Sequence, residues 1–176
     1  MTFHLVTACP QDIDTFVCFM QYDDVPDFSD AALQEAFDVY FGGDDFGLSA
    51  GDVKSFRLKM KEKFVNLLLA AFDFSTANEF ADFRKITLKL GSKLNEVKAE
   101  NIFVDGLSFF SCKEEILRQF SSTLPLCDYA FDKYKQKKSD FADKKIFVLE
   151  TDDCENYECV WDVVFCGEFV CSFLCA

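Results

Sequence analysis

The chain has 176 residues, half of them apolar, enough to bury one core and to make a single domain the default. Its 18 Lys and Arg face 31 Asp and Glu, and the formal charge of −13 repels phosphate backbones and anionic lipid, so neither nucleic acid nor a membrane is an expected partner. The longest apolar runs, 64–74 and 160–173, are broken by Asn66, Asp73, Asp162 and Glu168 and fall short of the ~20 residues a membrane helix needs.

The start, MTFHLVTACPQD, has no basic stretch ahead of an apolar one and does not read as a secretory signal, so a cytoplasmic location is expected. Nine cysteines, an odd number with no Cys-x-x-Cys among them, read as reduced and mostly buried thiols. The 23 phenylalanines are spread along the whole chain and neighbour Asp more often than Lys, which favours core packing over base stacking.

In chain order, residues 3–8 and 15–20 are short β-branched and aromatic runs around a Pro-Gln-Asp-Ile-Asp turn and predict two strands. Asp27 to Asp30 offer caps for a helix over Ala31 to Tyr40, with Leu33, Ala36, Phe37 and Tyr40 on one face and Gly42-Gly43 ending it. Val53 to Met60 alternates apolar with Lys and Arg and predicts an edge strand, whereas Phe64 to Phe72 is almost continuously apolar and predicts a strand covered on both faces. The longest helix is predicted from Thr76 to about Val97, its apolar face formed by Phe80, Phe83, Leu90, Leu94 and Val97. Asn101 to Asp105 predicts a strand of a βαβ unit, and Ser111 with Glu114 a capping box for a helix to about Ser121, broken or restarted at Pro125. A charged loop, 133–145, leads to a last strand at Ile146 to Glu150 and to a final helix from about Asn156. Strands alternating with helices predict an α/β domain.

Residues that could carry chemistry are few. His4 has no partner for general-base work and reads as structural. Asp23-Asp24, Asp44-Asp45 and Asp152-Asp153 fall in loop-like contexts and read as solvated charge, and no calcium-loop or P-loop spacing is present. Cys154, Cys159, Cys166, Cys171 and Cys175 read as small hydrophobes of a packed terminal helix, with a soft-metal site as the alternative. No catalytic, cofactor-binding or metal-binding residue is assigned in this chain.

The segment LPLCDYAFDKYKQKK, 124–138, resembles the amino-terminal domain of the leucyl aminopeptidase (cytosol aminopeptidase) family of metallopeptidases. The family pattern falls on Tyr129, Phe131, Tyr134 and Lys135, with further lysines following. The order of apolar strand, long helix and second strand upstream is similar to the family, as is the terminal CGEFVCSFLCA, so the likeness runs from about Lys63 to Ala176.

The resemblance implies a three-layer, macro-domain-like α/β sandwich spanning 1–176, with a mixed, mainly parallel sheet between helices and with 155–176 similar to the helix leading to a catalytic domain. It implies a non-catalytic role in assembly and active-site access within a hexameric exopeptidase that releases amino-terminal residues from peptides. No cofactor is then expected in this chain, because the two divalent metals, of zinc or manganese type, belong to the catalytic domain. The implied partners are that domain and the other subunits. Where the family has a Gly-Leu-Gly-like turn, this chain has Ala70-Ala71-Phe72, which disfavours close phosphate approach. The alternative functions are a macro-like module for ADP-ribose-type nucleotides and a divergent stand-alone interaction domain.

Overall fold

Strands and helices alternate in the computed structural model, which describes residues 1–42, 47–75, 79–107, 110, 113–128 and 144–149. In chain order the elements are β1 (Thr2–Val6), β2 (Thr15–Gln21), α1 (Ala31–Phe41), β3 (Val53–Met60), β4 (Lys63–Phe72), α2 (Glu79–Glu96), β5 (Asn101–Asp105), α3 (Lys113–Thr123), a 3₁₀ helix (Leu124–Asp128) and β6 (Lys145–Leu149). The strands form one sheet in the order β1-β6-β5-β2-β4-β3. Only β3 is antiparallel to its neighbour; every other pair is parallel.

Helices lie on both faces of this sheet. On one, Phe83, Ile86, Leu90 and Leu94 of α2 and Ile116, Leu117 and Phe120 of α3 pack on Val17, Phe19, Leu68, Ala70 and Val104. On the other, Leu33 and Phe37 of α1 pack on Phe16, Cys18, Leu67, Leu69 and Phe103. The chain is thus an α/β sandwich with a mixed, mainly parallel sheet, as its sequence predicts. The residues of β4 from Leu67 onward are fully buried because both faces are covered, while β3, alternating and charged, forms the edge.

The two opening strands are not neighbours. β6 and β5 separate them, and β1 and β2 run parallel, so residues 7–14 cross the sheet rather than turn a hairpin. Asp14, at the end of that crossing, fixes the amino-terminal ends of β2 and β5: its carboxylate accepts from the Asn101 N–H at 2.6 Å and from the Thr15 hydroxyl at 2.6 Å.

Local signals placed the helix ends well. The Asp30 carboxylate caps α1 by accepting from the Leu33 N–H at 2.9 Å, and Gly42, in the left-handed region, closes it by donating to the Asp38 carbonyl. The buried face differs by one position from the expected one. Tyr40 is 58% exposed, and Phe41, a full i+4 step from Phe37, turns inward onto Phe37 and Phe56. In α2, Ile86 joins the buried face, whereas Phe80, in the first turn, is 39% exposed. The carboxyl end of α2 closes through Lys98 in a left-handed conformation, with the Ala99 N–H reaching back to the Leu94 carbonyl.

The 3₁₀ helix after α3 accounts for the restart at Pro125, and it lies very close to α2. A Cβ on Gly91 would overlap Cys127, the Asn95 amide donates to the Cys127 carbonyl at 3.2 Å, and the Cys127 thiol donates to the Leu88 carbonyl at 3.5 Å. The motif residues Tyr129, Phe131, Tyr134 and Lys135, the capping residue Ser111, the five terminal cysteines, the acidic pairs at 44–45 and 152–153, and the final helix all lie outside the described residues. No helix among the described residues is long and apolar enough to cross a membrane.

Candidate functional site

β2 and β5 lie side by side and parallel, and the chain leaves their carboxyl ends in opposite directions, through α1 toward the β3 edge and through α3 toward β6. Such a parting of connections is where open α/β sheets hold ligands. Asp105, the last residue of β5, fills the point of parting. One carboxylate oxygen accepts from the Ser29 N–H at 2.9 Å and the other from the Gly106 N–H at 2.7 Å. Gly106 has φ 81°, and a Cβ there would overlap the Phe19 carbonyl oxygen, so the chain leaving β5 meets the backbone of β2 directly. The Ser29 and Gly106 N–H groups are thus occupied by the chain's own carboxylate.

Two thiols lie near this carboxylate. Burial pushes the Cys18 thiol far above its ordinary range, with Asp105 and Asp27 adding to the shift. Cys9 is pushed up to about 12, first by burial and then by Asp30, while Lys63 offsets part of the effect. Both stay protonated at neutral pH and are poor nucleophiles. His4 is exposed on β1; its ring stacks on Phe147 with centroids 5.3 Å apart and its Nε2 is 3.3 Å from the Thr2 hydroxyl. That environment supplies no carboxylate to orient it as a base. Among the described residues no three His, Cys, Asp or Glu side chains are grouped to hold a metal ion.

Two open clefts stand out among the described residues. One of about 310 Å³ lies between the end of β4 and α2, lined by Gly51, Phe72, Asp73, Asp82, Lys85 and Lys89. Its cations are engaged, Lys85 with Asp82 at 2.7 Å and Lys89 with the Gly51 carbonyl at 2.6 Å. The other, about 640 Å³, lies below the start of α1 and is lined by Cys9, Gln11, Ile13, Asp30, Lys61 and Lys63. There the Lys63 ammonium donates to the carbonyls of Gln11 and Ile13, at 3.0 and 2.9 Å. In both clefts a lysine braces the fold, Lys89 in the first and Lys63 in the second. The pairing of Asp105 with Gly106 was not singled out by sequence reasoning, although an Asp-Gly closing an apolar run is a turn signal.

No family model matches the chain, and no curated protein matches its sequence. Solved structures do resemble it. The fold is similar to the bottromycin maturation enzyme BotP, with TM-score 0.54 and 14% identity over 80% of this chain and 28% of that one. It is similar also to a tomato leucine aminopeptidase mutant, with TM-score 0.59 and 13% identity over 85% of this chain and 32% of that one. The chain therefore spans about a third of the length of these proteins, and over most of its own length it has a leucine-aminopeptidase-like fold.

Proposed function

We propose that this chain is the amino-terminal, non-catalytic domain of a leucyl aminopeptidase-like metallo-exopeptidase of the cytoplasm, supporting subunit assembly and shaping access to the active sites. The observation that carries this reading is the fold likeness to leucine aminopeptidase, which takes in 85% of this chain but 32% of the enzyme. That is the proportion of a domain to a larger whole. The resemblance of 124–138 to the family's amino-terminal domain supports it independently. In this reading residues 155–176 lead toward a catalytic domain, and that domain and the neighbouring subunits are the partners.

The two divalent metals of such an enzyme belong with the catalytic half. Purified 176-residue protein supplied with Mn²⁺ or Zn²⁺ is expected to leave leucyl p-nitroanilide intact, and metal-dependent turnover would overturn the non-catalytic assignment. Sequencing the transcript past Ala176 is expected to give the family's Asn-Thr-Asp-Ala-Glu-Gly-Arg motif. A stop codon there would overturn the place within a larger enzyme.

A further inference from the structure

Among the described residues the strongest concentration of positive charge is the β3–β4 hairpin, where Lys54, Arg57, Lys59, Lys61 and Lys63 accompany a single acid, Glu62. Lys54 and Lys63 are bound to backbone carbonyls. Arg57, Lys59 and Lys61 are exposed and form none of the ion pairs found among the described residues. Between them lies Phe64, 59% exposed, directly across from Lys59 in the ladder and with the Arg57 guanidinium 5.1 Å from its ring centre. Lysines on an edge strand deter strand addition. That role does not call for an exposed aromatic ring on the inner strand.

The opposite end of the sheet carries the converse pattern. In the turn after β2, the exposed acids Asp23, Asp24 and Asp27 surround Val25, 75% exposed, and Tyr22, 37% exposed. This turn is rigid. Pro26 and Phe28 are buried, the Tyr22 N–H donates to the Phe72 carbonyl at 3.0 Å, and the Phe28 N–H donates to the Gln34 side chain at 3.0 Å. Gln21 pairs with Phe72 at the far end of the ten-residue strand β4, so the two patches are separated by about 30 Å at ~3.3 Å per residue. They cannot meet within one molecule.

The geometry points to a head-to-tail contact between copies of this chain, in which the cationic hairpin around Phe64 receives the acidic turn around Val25 of a second copy. Each patch has an apolar centre inside a charged rim of the sign the other lacks, the arrangement of a small complementary interface. Two bodies of net charge −13 repel each other overall, so among the described residues the hairpin is a place where a second copy can be attracted. Because the two patches differ, the contact is heterologous and builds rings or chains rather than a two-fold dimer. The inference rests on surface chemistry and does not depend on the aminopeptidase reading.

Sedimentation velocity of the 176-residue protein over a range of concentrations tests it. Reversible association is expected at low salt, weakened by 0.5 M NaCl, where the screening length is ~4 Å. R57E/K59E/K61E and D23K/D24K/D27K should each weaken it about tenfold or more, and Phe64→Ser, which leaves every charge in place, should weaken it also. An equimolar mixture of the two charge-reversed proteins should associate again, with circular dichroism confirming that each is folded. A protein that stays monomeric at low salt, association indifferent to the hairpin charges, or a mixture that remains monomeric would each overturn the head-to-tail contact.

Discussion

The two faces of the sheet are built on different plans. On the α2–α3 face, Phe19 is ringed by Phe83, Phe110 and Phe120 with centroids 5.3 to 6.0 Å apart, and two helices and a 3₁₀ helix close over the cluster. On the α1 face a single helix among the described residues covers the sheet, Phe41 is partly exposed, and a cleft of about 640 Å³ opens at Cys9. The first face carries the packing energy, and the second has room to yield.

The sharpest way to break this contrast is to remove one ring from each face. Phe19→Ala should cost about 3–5 kcal/mol by leaving a cavity that cannot collapse among its aromatic neighbours. Phe41→Ala should cost about 1–2 kcal/mol, because a partly exposed ring gives up less burial. Urea denaturation of both variants measures the difference, and equal losses would show that the faces are equally tight.

Gly91→Ala should cost about 1–3 kcal/mol through overpacking, since the added methyl must displace Cys127 and with it the Leu124–Asp128 turn. The expected companion sign is faster hydrogen exchange at Asn95 and Cys127. Thr87, fully buried on α2 with no partner for its hydroxyl, offers a change of opposite sign. Thr87→Val should stabilise by about 1 kcal/mol, because a methyl there escapes the penalty of an unpaired polar group. An unchanged or lowered melting temperature would count against that account.

Alkaline pH should produce the smallest effect. The Cys9 thiol is raised in the folded state from 9.0 to about 12, so folding keeps a proton that the unfolded chain releases. The sign follows from linkage: this contribution is fully present below pH 9 and is lost as pH rises from 9 toward 12. Cys9 is only half-buried, so solvent moderates the loss. Cys9→Ser should flatten the decline in melting temperature over that window.

Much of this architecture was readable from local chemistry. The alternation of Val53 to Met60 marked an edge strand, and the continuous run through Phe72 marked an interior one. Asp30 and Gly42 marked the ends of α1, since capping depends on side-chain oxygens and left-handed backbone within a few residues. Tyr40 and Phe41 were harder to tell apart. Either fits an amphipathic stripe, and the position of Phe56 on a strand later in the chain selects between them.

The sequence by itself determined the α/β class, the caps, the charge balance and which strands are wet, because propensity, periodicity and net charge are properties of the chain. Tertiary structure alone decided that β1 and β2 are separated by β5 and β6, that Gly91 admits Cys127, that Asp105 fills the crevice beside Gly106, and that Phe64 stands between Arg57 and Lys59. Each of these joins residues distant in sequence, or sets partners on different strands, and the free energy of such a contact depends on where the whole sheet places both of them.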